Sequence, residues 1–368
     1  MTVNSAPLHP RPSHGQIQSI QALRAIAALF VVAFHGTVLW HDKFAPDVMP
    51  WQNGNAGVDL FFVISGFIMV VSSRRLLGVP GGWGRFMVLR LVRIVPMYWL
   101  VTAAKLAAIV AVPALALHTS PTAWNIVASF LFVPARDAMG VVRPVLDVGW
   151  TLSFEMVFYI AFATALFFAA EPILVAGPAM VALALLTLLR GPDGSALSTL
   201  ANPMVLEFVS GMPIAHAVHR RFMLYLASPW TIVAALAGLM CLAFMPIGES
   251  WSRTLVWGLA ATVALAACVL SDKWLDPFLP RLVIRIGEAS YSLYLIHGFI
   301  LPPIGVVAVR TKLAGNALGA MLIVSSLVAS TAAALIVYRY IEVPMTAWLR
   351  DAVTDRHQTN LASPRAAI

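Results

Sequence analysis

The sequence predicts an all-α bundle of about ten membrane-spanning helices, and three observations predict it. Of its 368 residues, 60% are hydrophobic and only 11% are charged, against roughly 25% charged in soluble domains. The apolar residues gather into stretches near the 20 or so that a helix needs to cross the hydrocarbon core. The net charge of +8 is carried by connections, as expected where loops face an anionic inner leaflet; the partner it implies is the lipid bilayer, not nucleic acid.

Residues 1–16 are polar and proline-rich and predict a disordered cytoplasmic tail. They carry no cleavable signal, because the apolar run that follows is too long and lacks a small-residue exit. The first span is predicted at Ile20–Leu39 and the second at Gly57–Val71, where Ser65-Gly66 leaves room for a neighbouring helix. Ser72–Arg93 reads as a strongly basic connection, and Ile94–Pro113 as the third span. Pro121–Val133 is apolar but too short to cross, so residues 114–147 form an outer excursion. Further spans are predicted at Val148–Ala170, Pro172–Leu189, Asn202–Val218, Pro229–Pro246, Leu255–Leu270, Ile286–Val309 and Asn316–Ile341. With the N-terminus inside, Lys and Arg outside the spans divide about two to one in favour of the cytoplasm; an eleventh span at Pro121–Val133 would nearly even the balance. Both termini are therefore expected inside. Residues 17–344 form the membrane domain and 345–368 a cytoplasmic tail, with Pro344 expected to stop the last helix. Cys241 and Cys268 fall in separate apolar stretches and read as packing residues.

Ionisable residues within spans are costly and mark working sites. Arg24 and His35 lie 11 residues apart in the first span, on one helical face and about 16 Å apart along its axis. The plainer alternative has Arg24 snorkelling to the inner surface and His35 as a hydrogen-bonded interior histidine. A histidine that stays unprotonated near neutrality suits removal of a proton from an attacking hydroxyl. His118, His216 and His219 have no partner at ligand spacing, and neither H-E-x-x-H nor C-x-x-C occurs, so no metal is expected.

Six blocks stand in order along the chain. They are Arg24-x10-His35, the run Gly57–Phe67 (GVDLFFVISGF), Arg90-x-x-Arg93-Ile-x-Pro96-x-Tyr98-Trp99, Trp150-Thr-Leu-Ser153-Phe-Glu155-x-x-Phe-Tyr159, Ser290–His297 (SYSLYLIH) and Tyr340-Ile-Glu342-x-Pro344. Together they resemble the acyltransferase 3 family of integral membrane O-acyltransferases, with the nearest likeness to bacterial exopolysaccharide acetyltransferases. The resemblance runs from about Gln18 to Pro344. It implies transfer of an acyl group, usually acetyl from acetyl-CoA, onto a hydroxyl of a glycan or lipid-linked sugar, in the bacterial inner membrane. The donor comes from the cytoplasm and the acceptor from the outer face. The soluble SGNH hydrolase-like domain that many members carry after the membrane part is not expected in this chain.

On this reading His35 is the base and Glu155 orients it or charge-couples to it, as a carboxylate does for other catalytic histidines. Glu155 as a structural partner of Arg24, the third candidate catalytic residue, is the rival assignment. Arg90 and Arg93, with Tyr98 in the same block, are candidates for holding the phosphates of CoA, since guanidinium forks match phosphate oxygens; ordinary cytoplasmic anchoring is the alternative. Asp59, Ser65, Trp150, Ser153, Tyr291 and His297 are the substrate-binding candidates. Glu342 reads as a structural partner of Arg339 or of the cytoplasmic arginines. The competing function is a transporter or flippase of a lipid-linked sugar, for which paired halves are expected and none is visible.

Overall fold

The computed structural model describes residues 17–111, 121–191, 194–219, 227–246, 248 and 250–362, with side chains as far as 353. The N-terminal tail 1–16, His118 and the Arg220-Arg221 pair lie outside the described residues. Within them the chain is helical, and one isolated antiparallel bridge, Arg136 with Val142, is the only β pairing.

The helices run in order as α1 (Gln18–Phe44), α2 (Ala56–Ser73), α3 (Gly82–Ala111), α4 (Ala123–Phe130), α5 (Trp150–Phe167), α6 (Pro172–Leu185), α7 (Val205–His219), α8 (Trp230–Phe244), α9 (Trp251–Arg253), α10 (Leu259–Leu275), α11 (Arg281–Glu288), α12 (Ser290–Ala308), α13 (Gly315–Val337) and α14 (Val343–Ala362). Eight helical stretches among the described residues are long and apolar enough to cross a membrane. The other two expected spans are α7 and α8, helices of 15 residues each, about 22 Å long and short of a full crossing. Helix α4, at eight residues, spans about 12 Å and does not cross.

Three boundaries differ from expectation. The basic connection at Ser72–Arg93 is largely helix, because α3 begins at Gly82 and carries Arg85, Arg90 and Arg93 on its first three turns. The stretch expected as one span from Ile286 breaks at Ala289; the residues before it belong to the short amphipathic helix α11, which alternates arginine with apolar residues and packs on α1. Pro344 does not end the last helix. A π-helical turn at Tyr338–Glu342 joins α13 to α14. The wider turn absorbs the proline ring and its missing N–H, so the helix continues.

Helix α1 is the hub, packing on α2, α10, α11, α12 and α13, and α2 lies between α1 and α7. The α2–α7 contact is backbone on backbone. A Cβ on Gly66 would overlap the carbonyl of Phe208, and one on Gly211 would overlap the carbonyl of Val63. The small residue at position 66 thus does what its sequence context predicts. Stacked rings of Phe62, Phe158 and Phe208 fill the space beside it. We predict that Gly66→Ala and Gly211→Ala each destabilise the detergent-solubilised protein by about 1–3 kcal/mol, the usual cost of overpacking. Gly84→Ala, where nothing stands within 4 Å of the added carbon, serves as the control in the same thermal unfolding series. Equal midpoints for all three would refute the close approach.

Candidate active site

Helices α1, α2, α3, α5 and α12 enclose a cavity of about 310 Å³. Arg24 and Gln21 of α1, Ser65 of α2, Arg90 and Arg93 of α3, Glu155 and Tyr159 of α5, and Tyr291 and Tyr294 of α12 reach its wall. Five of the sequence-predicted residues (Arg24, Ser65, Arg90, Arg93 and Glu155) therefore share one space, with Tyr291 as a sixth.

Its polar wall is tightly partnered. Glu155 accepts from the Tyr159 hydroxyl at 2.5 Å and the Ser65 hydroxyl at 3.2 Å. Arg93 pairs with Glu342 at 2.5 Å, and the second oxygen of Glu342 accepts from Ser292, also at 2.5 Å. Glu342 is fully buried, so the last helix is fastened to α3 and α12 through one carboxylate. Of the partners expected for Glu342, it takes Arg93 and not Arg339. Arg90 bonds the Ser72 hydroxyl and lies over the Phe86 ring. Arg24 meets Gln21 at 3.3 Å, and among the described residues no carboxylate pairs with it. Three guanidinium groups face the cavity, against Glu155 on the wall and Glu342 behind Arg93. The space is left with positive charge in excess and suits an anionic ligand.

His35 is not on this wall. Tyr294 is on it, and its hydroxyl donates to the Val148 carbonyl at 3.2 Å and lies 3.1 Å from the Thr151 hydroxyl. One turn further along α12 is His297, and its ring stands 4.8 Å from that of His35, centre to centre. The two histidines form a pair just past Tyr294. His35 Nδ1 lies 2.8 Å from the Val31 carbonyl, and His297 Nδ1 lies 3.2 Å from that of Leu293. A carbonyl only accepts, so each Nδ1 carries the proton and each Nε2 keeps its lone pair. A histidine held in this tautomer can receive a proton at Nε2.

This geometry corrects three assignments. Glu155 makes no direct bond to His35 among the described residues: its Oε1 accepts from both Ser65 and Tyr159, and the carbonyl one turn back on α1 holds the ring instead. Asp59 is not on the cavity wall. It is fully buried and paired with Arg253 at 2.7 and 3.1 Å, beside the buried Glu207 of α7. Tyr98 does not join Arg93. Five residues on, it points about 140° away around α3 and lines a second cavity of about 190 Å³ with Trp150 and Ser153. Sequence reasoning missed Tyr159 as a partner of Glu155, though the four-residue spacing on one helix signals it. It also missed Arg253, 194 residues from Asp59, for which no local signal exists.

Residues 17–339 match the model of an acyltransferase domain, that of the acyltransferase 3 family. Over 261 residues the chain is 37% identical to the exopolysaccharide production protein ExoZ of Rhizobium meliloti (strain 1021), an alignment that covers 67% of this chain and 77% of that one. No solved structure matches.

The Arg93–Glu342 pair generates a stability prediction. Removing one member of a buried ion pair strands the other, at about 3–5 kcal/mol; the part-exposure of Arg93 places Glu342→Ala at the lower end. Arg93→Ala combined with Glu342→Ala should cost less than the two single changes added together, as measured by unfolding in detergent. Strict additivity would show that the two groups do not interact.

Proposed function

Because the chain belongs to the acyltransferase 3 family of multi-pass membrane proteins, we propose that it moves an acetyl group from cytoplasmic acetyl-CoA to a hydroxyl of an exported glycan, in the inner membrane of a bacterium. The observation that carries the reading is the single cavity in which Arg24, Arg90 and Arg93 converge below the His35–His297 pair. The exopolysaccharide production role of the R. meliloti relative supports exopolysaccharide as the class of acceptor.

CoA carries a pyrophosphate and a 3′-phosphate, too charged to enter hydrocarbon without partners. In this proposal the nucleotide stays near the inner face, where Arg90 and Arg93 meet its phosphates. The pantetheine arm threads past Arg24 and Ser65, its amides facing the polar groups around Glu155. The thioester arrives at Tyr294, and a rotation of that side chain away from Val148 and Thr151 opens the way to the histidines. His35 Nε2 takes the proton as the acceptor oxygen attacks the thioester carbon. The C–S bond then breaks, and the CoA thiolate leaves with its electron pair. The Tyr294 hydroxyl is placed to donate to the carbonyl oxygen as negative charge develops there. The new ester leaves toward the outer face, and CoA retreats inward.

The test is transfer of labelled acetyl from acetyl-CoA by the purified protein. His35→Ala should lower turnover by about 10² to 10⁴, the usual worth of a general base, with the thermal midpoint unchanged. If more than about a tenth of the activity survives, His35 is not the base and His297 takes its place. Arg90→Gln with Arg93→Gln should weaken acetyl-CoA binding and flatten its dependence on salt. Dephospho-CoA reports which phosphate is felt. Unchanged donor affinity in the double variant would return both arginines to plain anchoring of the inner loop.

A further inference from the structure

The second cavity lies at the start of α5, between the segment 129–144 and the segment 190–202. Nothing in the proposed donor path uses it. We infer that it is a subsite for an anion-bearing sugar of the acceptor glycan, next to the sugar that receives the acyl group. The inference rests on the acyl-transfer reading above and assigns its acceptor side.

Its size and walls fit one sugar ring. The volume, about 190 Å³, is on that scale. Trp150 is 36% exposed and stands edge-on to Phe154, which holds it. An indole propped in this way offers a flat face to the C–H side of a pyranose. Tyr98 and Phe132, ring centres 4.8 Å apart, form the floor. A site for an acyl chain would be apolar throughout, whereas this one carries unspent hydrogen-bonding groups. Ser153 is only 7% exposed, and its hydroxyl has no partner among the described residues. The side-chain oxygen of Asn202 accepts from the amide of Met204, and among the described residues its NH₂ is left for a ligand.

The rim is built, and its charge points to an anion. Asp137 accepts from the amides of Met139 at 2.9 Å and Val141 at 3.0 Å, and from Arg143 Nε at 2.7 Å. Arg136 donates to the Gly140 carbonyl at 2.7 Å and reaches across to that of Gly194 at 2.9 Å, tying the two segments together. Arg136 and Arg143 are thus committed to structure. Arg190 lines the cavity and has no side-chain partner among the described residues. One carboxylate faces three guanidinium groups, and the uncommitted one is at the ligand's edge.

The position explains why this is a neighbouring subsite. The turn at Asp147–Gly149 leading into α5 is the partition. Tyr98 packs on Gly149 from the cavity side, and Tyr294 bonds Val148 from the other, with His297 behind it. A sugar seated against Trp150 is separated from the histidine pair by this turn and the Tyr294 side chain, so an adjoining sugar of the same chain carries the reacting hydroxyl. The anion met by Arg190 is either a carboxylate on the glycan or the diphosphate of a lipid carrier.

Two acceptors separate those sources. One is the de-esterified repeat oligosaccharide prepared from the producing strain's own exopolysaccharide, and the other is the same repeat on its polyprenyl diphosphate. Arg190→Gln should raise the acceptor KM about tenfold, the worth of one charge-assisted hydrogen bond, while Arg190→Lys recovers part of the loss. A rise with both acceptors assigns the anion to the sugar, and a rise with the lipid-linked form alone assigns it to the carrier. Trp150→Ala should raise the KM for both and Trp150→Tyr should restore it, with acetyl-CoA affinity and thermal midpoint unchanged throughout. Acceptor KM and calorimetric oligosaccharide binding unmoved in Arg190→Gln and Trp150→Ala would overturn the subsite. Binding lost in these variants, with a wild-type protein that transfers no acetyl, would keep the sugar site and sink the acyl-transfer reading.

Discussion

A guanidinium group inside a membrane bundle must find an anion or water, and that constraint shapes this molecule. Arg93 is met by Glu342, whose other oxygen is met by Ser292. Three helices far apart in sequence converge on one charge. Arg253 is met in the same way by Asp59, with its guanidinium over the Trp257 ring. Each pair is expensive to assemble and more expensive to break, so the pairs fix which helices touch and at what height. Arg24 and Arg90 have neighbours but no carboxylate of their own. The bundle therefore holds an excess of positive charge around the cavity between α1, α2, α3, α5 and α12.

The histidines sit off the wall of that cavity, past Tyr294. Their orientation needs no acid, because a backbone carbonyl one turn earlier fixes each ring by its Nδ1 proton. Triads built on an aspartate achieve the same alignment and add charge to the imidazolium that forms. Here the carboxylate whose field reaches His35 is Asp147. Arginines and histidines are thus divided along one axis, with the arginines toward one end of α1 and the histidine pair toward the other.

Much of the site was legible because membrane spans make ionisable residues conspicuous. Arg24, Arg90, Arg93, Ser65, Glu155 and Tyr291 stand out as site candidates from their place within membrane spans and from the six-block family resemblance, and they surround one cavity. The helices were legible too, since period and length mark a span without reference to its partners. Misreadings came where a second helix decides. Asp59 looks like a site acid until Arg253 arrives from the far end of the chain. Glu155 looks like the partner of a histidine, yet Tyr159 and Ser65 are the side chains that reach it, both at Oε1. Tyr98 shares a motif with Arg93, yet five residues of helical rotation send it to another face. Pro344 reads as a stop because a π turn, which follows no simple local rule, can carry a helix past it.

Family membership and cavity chemistry meet in one claim, that the donor runs from the arginines to the histidine pair through the space between α1, α2, α3, α5 and α12. A cryo-EM structure with a non-transferable ketone analogue of acetyl-CoA tests it most directly. The phosphates are expected at Arg90 and Arg93, the pantetheine beside Ser65 and Glu155, and the acyl carbon within reach of His35 Nε2 past a displaced Tyr294. Phosphate density away from these arginines, or an acyl group that ends far from both histidines, would contradict the claim.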